Sequence, residues 1–286
     1  MATACRRAAV AAPAGGHSRA VEPSLDWRLD WLESILTVRE SRRVGILGGT
    51  FDPIHCGHVD LGVAAERALG LTRVLVVPAN APPHRPQPFA STFHRFAMVA
   101  LAAAGRPGWR ASDLELQRGT TSYTTQTLQQ LHELGYAPSE LFFILGGDAF
   151  ADIETWRDYP RLLEHSHFAV VSRPGFQVDD LSKRLSGLRS RIMRLTSRAS
   201  GEPSSGGTEN GKLAHPCIFL IDAQTADVSS STIRRRRAKG EPIRGLVAPA
   251  VEQHIEQHGL YRNETHEMVT EVQPIPSSAD RLHGQS

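Results

Sequence analysis

The sequence predicts an α/β fold built on a doubly wound parallel sheet flanked by helices, and three observations carry that expectation. Short apolar runs alternate with helical stretches from residue 44 to about residue 171. The first run, Val44-Gly45-Ile46-Leu47, enters a glycine turn that leads into a helical pattern. Leu141 to Leu145 is continuously apolar, as a central parallel strand buried on both faces must be. With 286 residues, 40% hydrophobic and 22% charged, the chain can bury a substantial core as one large domain or two small ones.

Residues 1–20 carry Arg6, Arg7 and Arg19 among many alanines and no acid, a mix that reads either as an organelle transit peptide or as a disordered extension or mis-assigned start. Ser24 can cap a short helix with Leu25, Leu29, Leu32 and Leu36 on one face, widened by Trp27, Trp31 and Ile35. After the first strand and the glycine turn, a helix over Val59 to Leu69 stops at Gly70. Arg73 to Val77 is a second strand, and Pro78 to Pro88 is an extended loop because proline supplies no helical donor. Ser91 to Ala104 reads as helix, Trp109 to Leu116 as strand, and Thr124 to Leu134 as a helix closed by Gly135.

Beyond Leu145, Gly146-Gly147-Asp148 opens another helical stretch, and His167 to Val171 is a further strand. The regular pattern breaks near Gln177, residues 199–212 read as a flexible insert, and Cys217 to Ile221 is the last strand. Ser230 to His258 is polar and helix-rich. The expected organisation is an extension at 1–41, a domain at 42–262 with an insert at about 177–215, and a polar tail at 263–286.

Composition excludes several function classes. Thirty-two Lys and Arg against 30 Asp and Glu give a net charge of +2, so nothing global favours nucleic acid or a membrane surface. Cys5, Cys56 and Cys217 form no metal spacing and fit free thiols in a reducing compartment, which makes the cytoplasm the expected location. The longest apolar run, near Phe96 to Ala104, is well short of the roughly 20 residues that cross a bilayer. One local exception is the stripe Leu181, Leu185, Leu188, Ile192 and Leu195, interleaved with Lys183, Arg184, Arg189, Arg191, Arg194 and Arg198. It reads as a basic amphipathic helix that packs on its own domain, or that meets RNA, an anionic membrane or another subunit.

The most informative segment runs from Gly48 to His58, GGTFDPIHCGH, directly after the first strand. Ligands of open α/β sheets bind at the carboxyl ends of the strands, where a glycine turn lets backbone amides approach a phosphate. His55 and His58, three apart at a helix entrance, can both face such an anion. The same pair with no identifiable further ligands is poor support for zinc. The segment does not match GxGxxG, and a Walker-like run at Gly206 to Leu213 lacks the metal-binding hydroxyl and a preceding strand.

This run resembles the signature of the adenylyl- and cytidylyltransferase superfamily, in which a (T/H)xGH element contacts a nucleoside triphosphate; His55-Cys56-Gly57-His58 supplies it. Four further segments resemble the bacterial nicotinate-nucleotide adenylyltransferases: Pro82-Pro83-His84-Arg85; Ser122-Tyr123-Thr124 with Thr127-Leu128; Leu145-Gly146-Gly147-Asp148 with Trp156; and Val228 to Arg234 followed by Gly259-Leu260-Tyr261. The matches are colinear from about residue 43 to 261. Ser231 in place of Thr, Arg157 after Trp156, and Ala79-Asn80 where the asparagine is usually one place earlier are the departures.

The resemblance implies a Rossmann-like nucleotidyltransferase of the HxGH type that transfers AMP from ATP to nicotinate mononucleotide and releases pyrophosphate. On that basis His55, His58 and Arg234 are the expected catalytic residues. Gly48, Gly49, Thr50, Phe51, Gly57, Gly146, Asp148, Ser229 and Ser231 join them around ATP. His84, Arg85, Tyr123, Thr124, Asp148 and Trp156 are expected to meet nicotinate mononucleotide, Trp156 by stacking on the pyridine ring and Thr124 by donating to the carboxylate. Mg²⁺ is expected to arrive with ATP, held mainly by phosphates and water. Alternatives are an adenylyltransferase for nicotinamide mononucleotide or phosphopantetheine, and a nucleotide-binding protein without turnover. Neither a membrane nor nucleic acid is an expected partner, and homo-oligomerisation is left open.

Overall fold

The structure, a computed structural model, describes residues 42–82, 87–174, 185–195 and 215–262. The Ser24 helix, His84 and Arg85, the Walker-like run and the tail at 263–286 therefore lie outside the described residues. Seven strands form one sheet: β1 (Val44–Gly49), β2 (Arg73–Pro78), β3 (Trp109–Ala111), β4 (Leu141–Gly146), β5 (His167–Val171), β6 (Ile192–Leu195) and β7 (Ile218–Ile221). Every pairing is parallel, in the order β3-β2-β1-β4-β5-β7-β6. Among the described residues the α-helices are α1 (Cys56–Leu69), α2 (Thr92–Ala103), α3 (Thr124–Glu133), α4 (Gly147–Phe150), α5 (Ser230–Ala238) and α6 (Pro249–Gln257).

Strand alternation sorts the apolar residues into two layers. Leu47, Val74, Val76, Phe142, Ile144, Ala169, Val171 and Phe219 face one side, where Leu61, Ala65, Met98, Val99, Val251 and Ile255 cover them. Val44, Ile46, Val77, Phe143, Leu145, Phe168, Val170 and Leu220 face the other, under Leu128, Leu131, Leu162 and Leu163. All six residues of β4 are buried, because this strand lies mid-sheet with layers on both faces. The direction of winding reverses between β1 and β4, which opens a crevice at their carboxyl ends.

Three elements differ from the sequence reading. The strand expected over Trp109 to Leu116 ends at Ala111, because the Asp113 carbonyl accepts from the amides of Leu116 and Gln117 and turns the chain away. The helical stretch after Gly146 closes at Phe150 and gives way to single 3₁₀ turns at Ile153–Thr155 and Arg161–Glu164. Between them, Asp158 at φ 64° and Pro160, which has no N–H, are incompatible with a continuous helix.

The third difference is the basic stripe. Ser186–Arg191 is a 3₁₀ turn and Ile192–Leu195 is a strand on the edge of β7, so residues 185–195 are not the amphipathic helix that the leucine spacing implied. Leu185 and Leu188 do turn inward, into the layer beneath β5 and β7. Ile192 to Leu195 instead satisfies the unpaired N–H and C=O groups of β7, a demand that side-chain periodicity does not encode. Cys217 to Ile221 is consequently not the sheet's edge.

Helix α1 lies close to β3 because residue 62 has no side chain. A Cβ at Gly62 would overlap the Trp109 ring, whose Nε1 donates to Glu66 Oε2 at 3.1 Å. We expect Gly62→Val to cost about 2–3 kcal/mol in urea unfolding, while Gly105→Ala, with nothing within 4 Å of its added Cβ, stays within about 0.5 kcal/mol of the parent.

Candidate active site

The glycine turn sits at the crevice between β1 and β4. Gly49 carries the turn's tightest approach: a Cβ there would lie 2.9 Å from the Phe51 ring. Phe51 itself has φ 51°, in the left-handed region that costs a non-glycine residue about 1–3 kcal/mol. Its ring is 1% exposed and meets His58 edge-on at 5.0 Å. Phe51 is therefore a floor under the histidine and does not line the crevice, contrary to its expected place around ATP. Gly57, one turn further, would put a Cβ 3.0 Å from the Ala226 carbonyl oxygen, so glycine is what lets the approach to α5 run alongside α1.

His55 and His58 come together as a stacked pair, with ring centroids 3.7 Å apart. The His55 amide donates to His58 Nδ1 at 3.3 Å, which makes Nδ1 an acceptor and leaves the ring proton on Nε2. Burial, assisted by Arg173, holds His55 down to a pKa of about 4, so this imidazole is neutral at pH 7. It offers a hydrogen bond and not a cation.

One residue before the cis Asp52-Pro53 bond ends, the turn is fixed by a carboxylate. Asp52 accepts from the amides of Phe89 at 2.8 Å and Ala90 at 3.0 Å and from the Tyr261 hydroxyl at 2.8 Å. Arg234 Nη1 lies 3.7 Å from the same carboxylate and donates to the Asp52 backbone carbonyl at 2.6 Å. The guanidinium also stands 4.6 Å from the centroid of Phe89. Beneath the turn, buried Arg95 donates to the carbonyls of Thr50, Ala79 and Asn80 at 2.9, 2.5 and 3.1 Å.

Helix α5 begins at the mouth of the same crevice. Ser229 is its N-cap, accepting from the Thr232 amide at 3.2 Å, and Ser230 donates to the Pro53 carbonyl at 2.9 Å. The helix N-terminus thereby points its unpaired amides toward the glycine turn. Of the arginine run, Arg234 alone reaches the crevice. Arg236 donates to the Pro242 carbonyl and Arg237 lies 4.0 Å from Glu256.

These groups line one cavity of about 550 Å³, within the range of small-molecule sites. Its first flank is Gly48, Gly49, Thr50, His55, His58, Ser229, Ser231 and Arg234. The opposite flank is Thr124 at the N-terminus of α3, Gly146 at the end of β4, Asp148 in α4 and Trp156 after the 3₁₀ turn at Ile153–Thr155. Trp156 is half-buried and held edge-on against Phe143 at 6.1 Å. Tyr123 does not line the cavity: the Arg157 guanidinium covers its ring at 4.4 Å. The arginine that departs from the family pattern thus occupies the tyrosine.

Several lining residues had no site role in the sequence, among them Asp52, Arg173, Ser230 and Glu115. Asp52 and Arg173 had no motif role; Arg173 sits 3.7 Å from exposed Asp148. Ser230 is locked to Pro53, and buried Glu115, whose carboxyl is pushed up by burial, accepts from Thr127 Oγ1 at 2.6 Å. Position after a strand end signalled the glycines; nothing local distinguishes an aspartate or arginine whose partners lie on other elements, 25 to 209 residues away.

The family model for cytidylyltransferase-like proteins matches residues 46–236. A probable nicotinate-nucleotide adenylyltransferase of Aeromonas hydrophila is 40% identical over 220 residues, covering 77% of this chain and 97% of that protein. One from a Roseiflexus species is 40% identical over 223 residues, covering 78% and 99%. Among solved structures, the nicotinic acid mononucleotide adenylyltransferase of Plasmodium falciparum complexed with NaAD superposes with a TM-score of 0.57 at 20% identity, covering 77% of this chain and 98% of that one. The chain belongs to the cytidylyltransferase-like family and, within it, to the nicotinate-nucleotide adenylyltransferases. It is an adenylyltransferase, on the α/β sheet that the glycine turn implied.

His55 is not alone in being held neutral. His167 on β5, whose Nδ1 accepts from the Cys217 amide at 2.9 Å, is also lowered by burial to about 4. The unfolded chain takes up both protons near pH 6.5 and the folded protein only near 4. The stability present above pH 6.5 is therefore lost as pH falls toward 4, by up to about 3 kcal/mol per group. Urea unfolding at pH 7.5 and 4.5 should show this loss, and His167→Gln, though less stable at pH 7.5, should show a smaller one.

Proposed function

We propose that the protein joins AMP from ATP to the phosphate of nicotinate mononucleotide, giving nicotinic acid adenine dinucleotide and pyrophosphate in NAD biosynthesis. The observation that carries this reading is the two-flanked cavity. An anion-binding flank of amides, imidazoles and Arg234 faces an aromatic flank with Trp156 and the N-terminus of α3. ATP phosphates fit the first, where α5 and α1 both present helix N-termini. The pyridine ring fits the face of Trp156, and the carboxylate of nicotinate fits the donors at Thr124. The relatives' names and their coverage by this chain support the same acceptor.

The nucleophile is already an anionic phosphate, so the chain has no proton to remove from it. What the residues contribute is alignment of the mononucleotide phosphate with the α-phosphorus, and donors aimed where charge grows on the leaving pyrophosphate. His58, its Nδ1 occupied by the His55 amide, has Nε2–H to donate; neutral His55 adds a second donor without adding charge. Arg234 supplies the positive charge, aimed by the Asp52 carbonyl.

Mg²⁺ travelling on ATP would shield its phosphates. The carboxylates that line the cavity are engaged elsewhere: Asp52 by two amides and a phenol, Glu115 by Thr127, Asp148 by Arg173. That donor set fits a cation held by phosphates and water, and not one caged by the protein. His84 and Arg85 retain their proposed contact with the mononucleotide phosphate by resemblance alone. No described helix is long and apolar enough to cross a membrane. The free thiols of Cys56 and Cys217 suit a reducing compartment, and on that ground we place the activity in the cytoplasm.

Two measurements test this reading. Pyrophosphate release with nicotinate mononucleotide, nicotinamide mononucleotide and phosphopantetheine in parallel should favour the first acceptor; preference for either of the others would refute the acceptor assignment. His58→Ala should lower kcat by about 10²–10³-fold with the unfolding transition unchanged, and near-normal turnover would remove His58 from the mechanism.

A further inference from the structure

Outside the cavity, three histidines without an expected role converge beside α2 and α6. His254 and His258 are four residues apart at the end of α6, so both project from one face of the helix. His94 lies in the first turn of α2, whose N-cap Ser91 receives the His94 amide. His94 Nδ1 and His254 Nε2 are 3.1 Å apart, and the His258 ring centroid lies 4.9 and 4.5 Å from those of His94 and His254. One nitrogen from each of the three falls within 4.8 Å of the others. None of the three lines the active-site cavity.

We infer that His94, His254 and His258 form a binding site for a divalent transition metal such as Zn²⁺, separate from the catalytic cavity. Nitrogens around tetrahedral zinc, each about 2.0–2.1 Å from the ion, stand about 3.3 Å from one another, close to the separation already present between His94 and His254. A modest rotation of the exposed His258 ring brings in the third. Three imidazoles with no carboxylate among them select zinc-like ions over Mg²⁺ or Ca²⁺, and leave a fourth position for water.

The scaffold holds the site in place: Met98 and Val99 of α2 pack in the same buried layer as Val251 and Ile255 of α6. The consequence of binding follows from what these helices brace. Arg95, next to His94, holds the carbonyls of Thr50, Ala79 and Asn80, and Tyr261, just past α6, holds Asp52. An ion clamping α2 to α6 therefore tightens both supports of the glycine turn without touching substrate.

The test uses the full chain without a purification tag, stripped of metal and titrated with Co²⁺ and with Zn²⁺. The expected result is one equivalent of Co²⁺ with the intense visible bands of four-coordinate geometry, displaced by Zn²⁺. Zn²⁺ should also raise Tm by about 5 °C or more at saturation. Binding should vanish in His254→Ala and in the surface variant His258→Gln, and persist in His55→Ala, which removes half of the other histidine pair. Absence of stoichiometric binding, its survival in His258→Gln, or its loss in His55→Ala would overturn the proposal.

Discussion

A buried carboxylate at Asp52 is the constraint on which the active site's shape rests. It is 4% exposed, and an ion in that position is tolerated only if nearly every lone pair finds a donor. Its partners come from three remote segments: the donating amides of Phe89 and Ala90 before α2, the donating hydroxyl of Tyr261 after α6, and the Arg234 guanidinium on α5 as a counter-charge at 3.7 Å. Burial and the adjacent carboxylate push the Tyr261 hydroxyl well above its usual range, so it stays a donor at any physiological pH. Satisfying one ion therefore draws the glycine turn, the loop end and the C-terminal part of the domain to one point.

Electrostatics in the cavity follow from that arrangement. Arg234 is aimed by the backbone carbonyl of the residue whose carboxylate it also approaches, so its charge is positioned before any ligand arrives. Beside it, His55 is too buried to be charged, and the imidazole pair stacks without mutual repulsion from that partner. A triphosphate then meets the Arg234 guanidinium and several neutral donors, including the amides at the start of α5. Such a set holds developing charge without a strongly bound ground state, which suits a reaction whose leaving group is itself an anion.

How far the sequence disclosed this depends on the range of each interaction. Local signals were sufficient for β1, β4 and β5, whose apolar runs match the observed bounds closely. The HxGH pair was legible because turn, histidines and helix start are contiguous. Phe51 was misplaced because the sequence shows its neighbourhood and not its φ angle, which turns the ring inward. Tyr123 was lost to Arg157, a contact across 34 residues; Ile192 to Leu195 was lost to the unpaired edge of β7. Asp52, Arg95 and Arg173 act through partners brought near only by the finished sheet, and spacing along the chain carries no trace of that.

The Asp52 carboxylate couples the glycine turn to the C-terminal segment. A double-mutant cycle of Asp52→Asn and Tyr261→Phe, followed by urea unfolding, tests it most directly. A buried, charge-assisted hydrogen bond predicts a coupling energy of at least about 1 kcal/mol. Additivity within about 0.3 kcal/mol would contradict it, and would show that the two segments meet at Asp52 without depending on it.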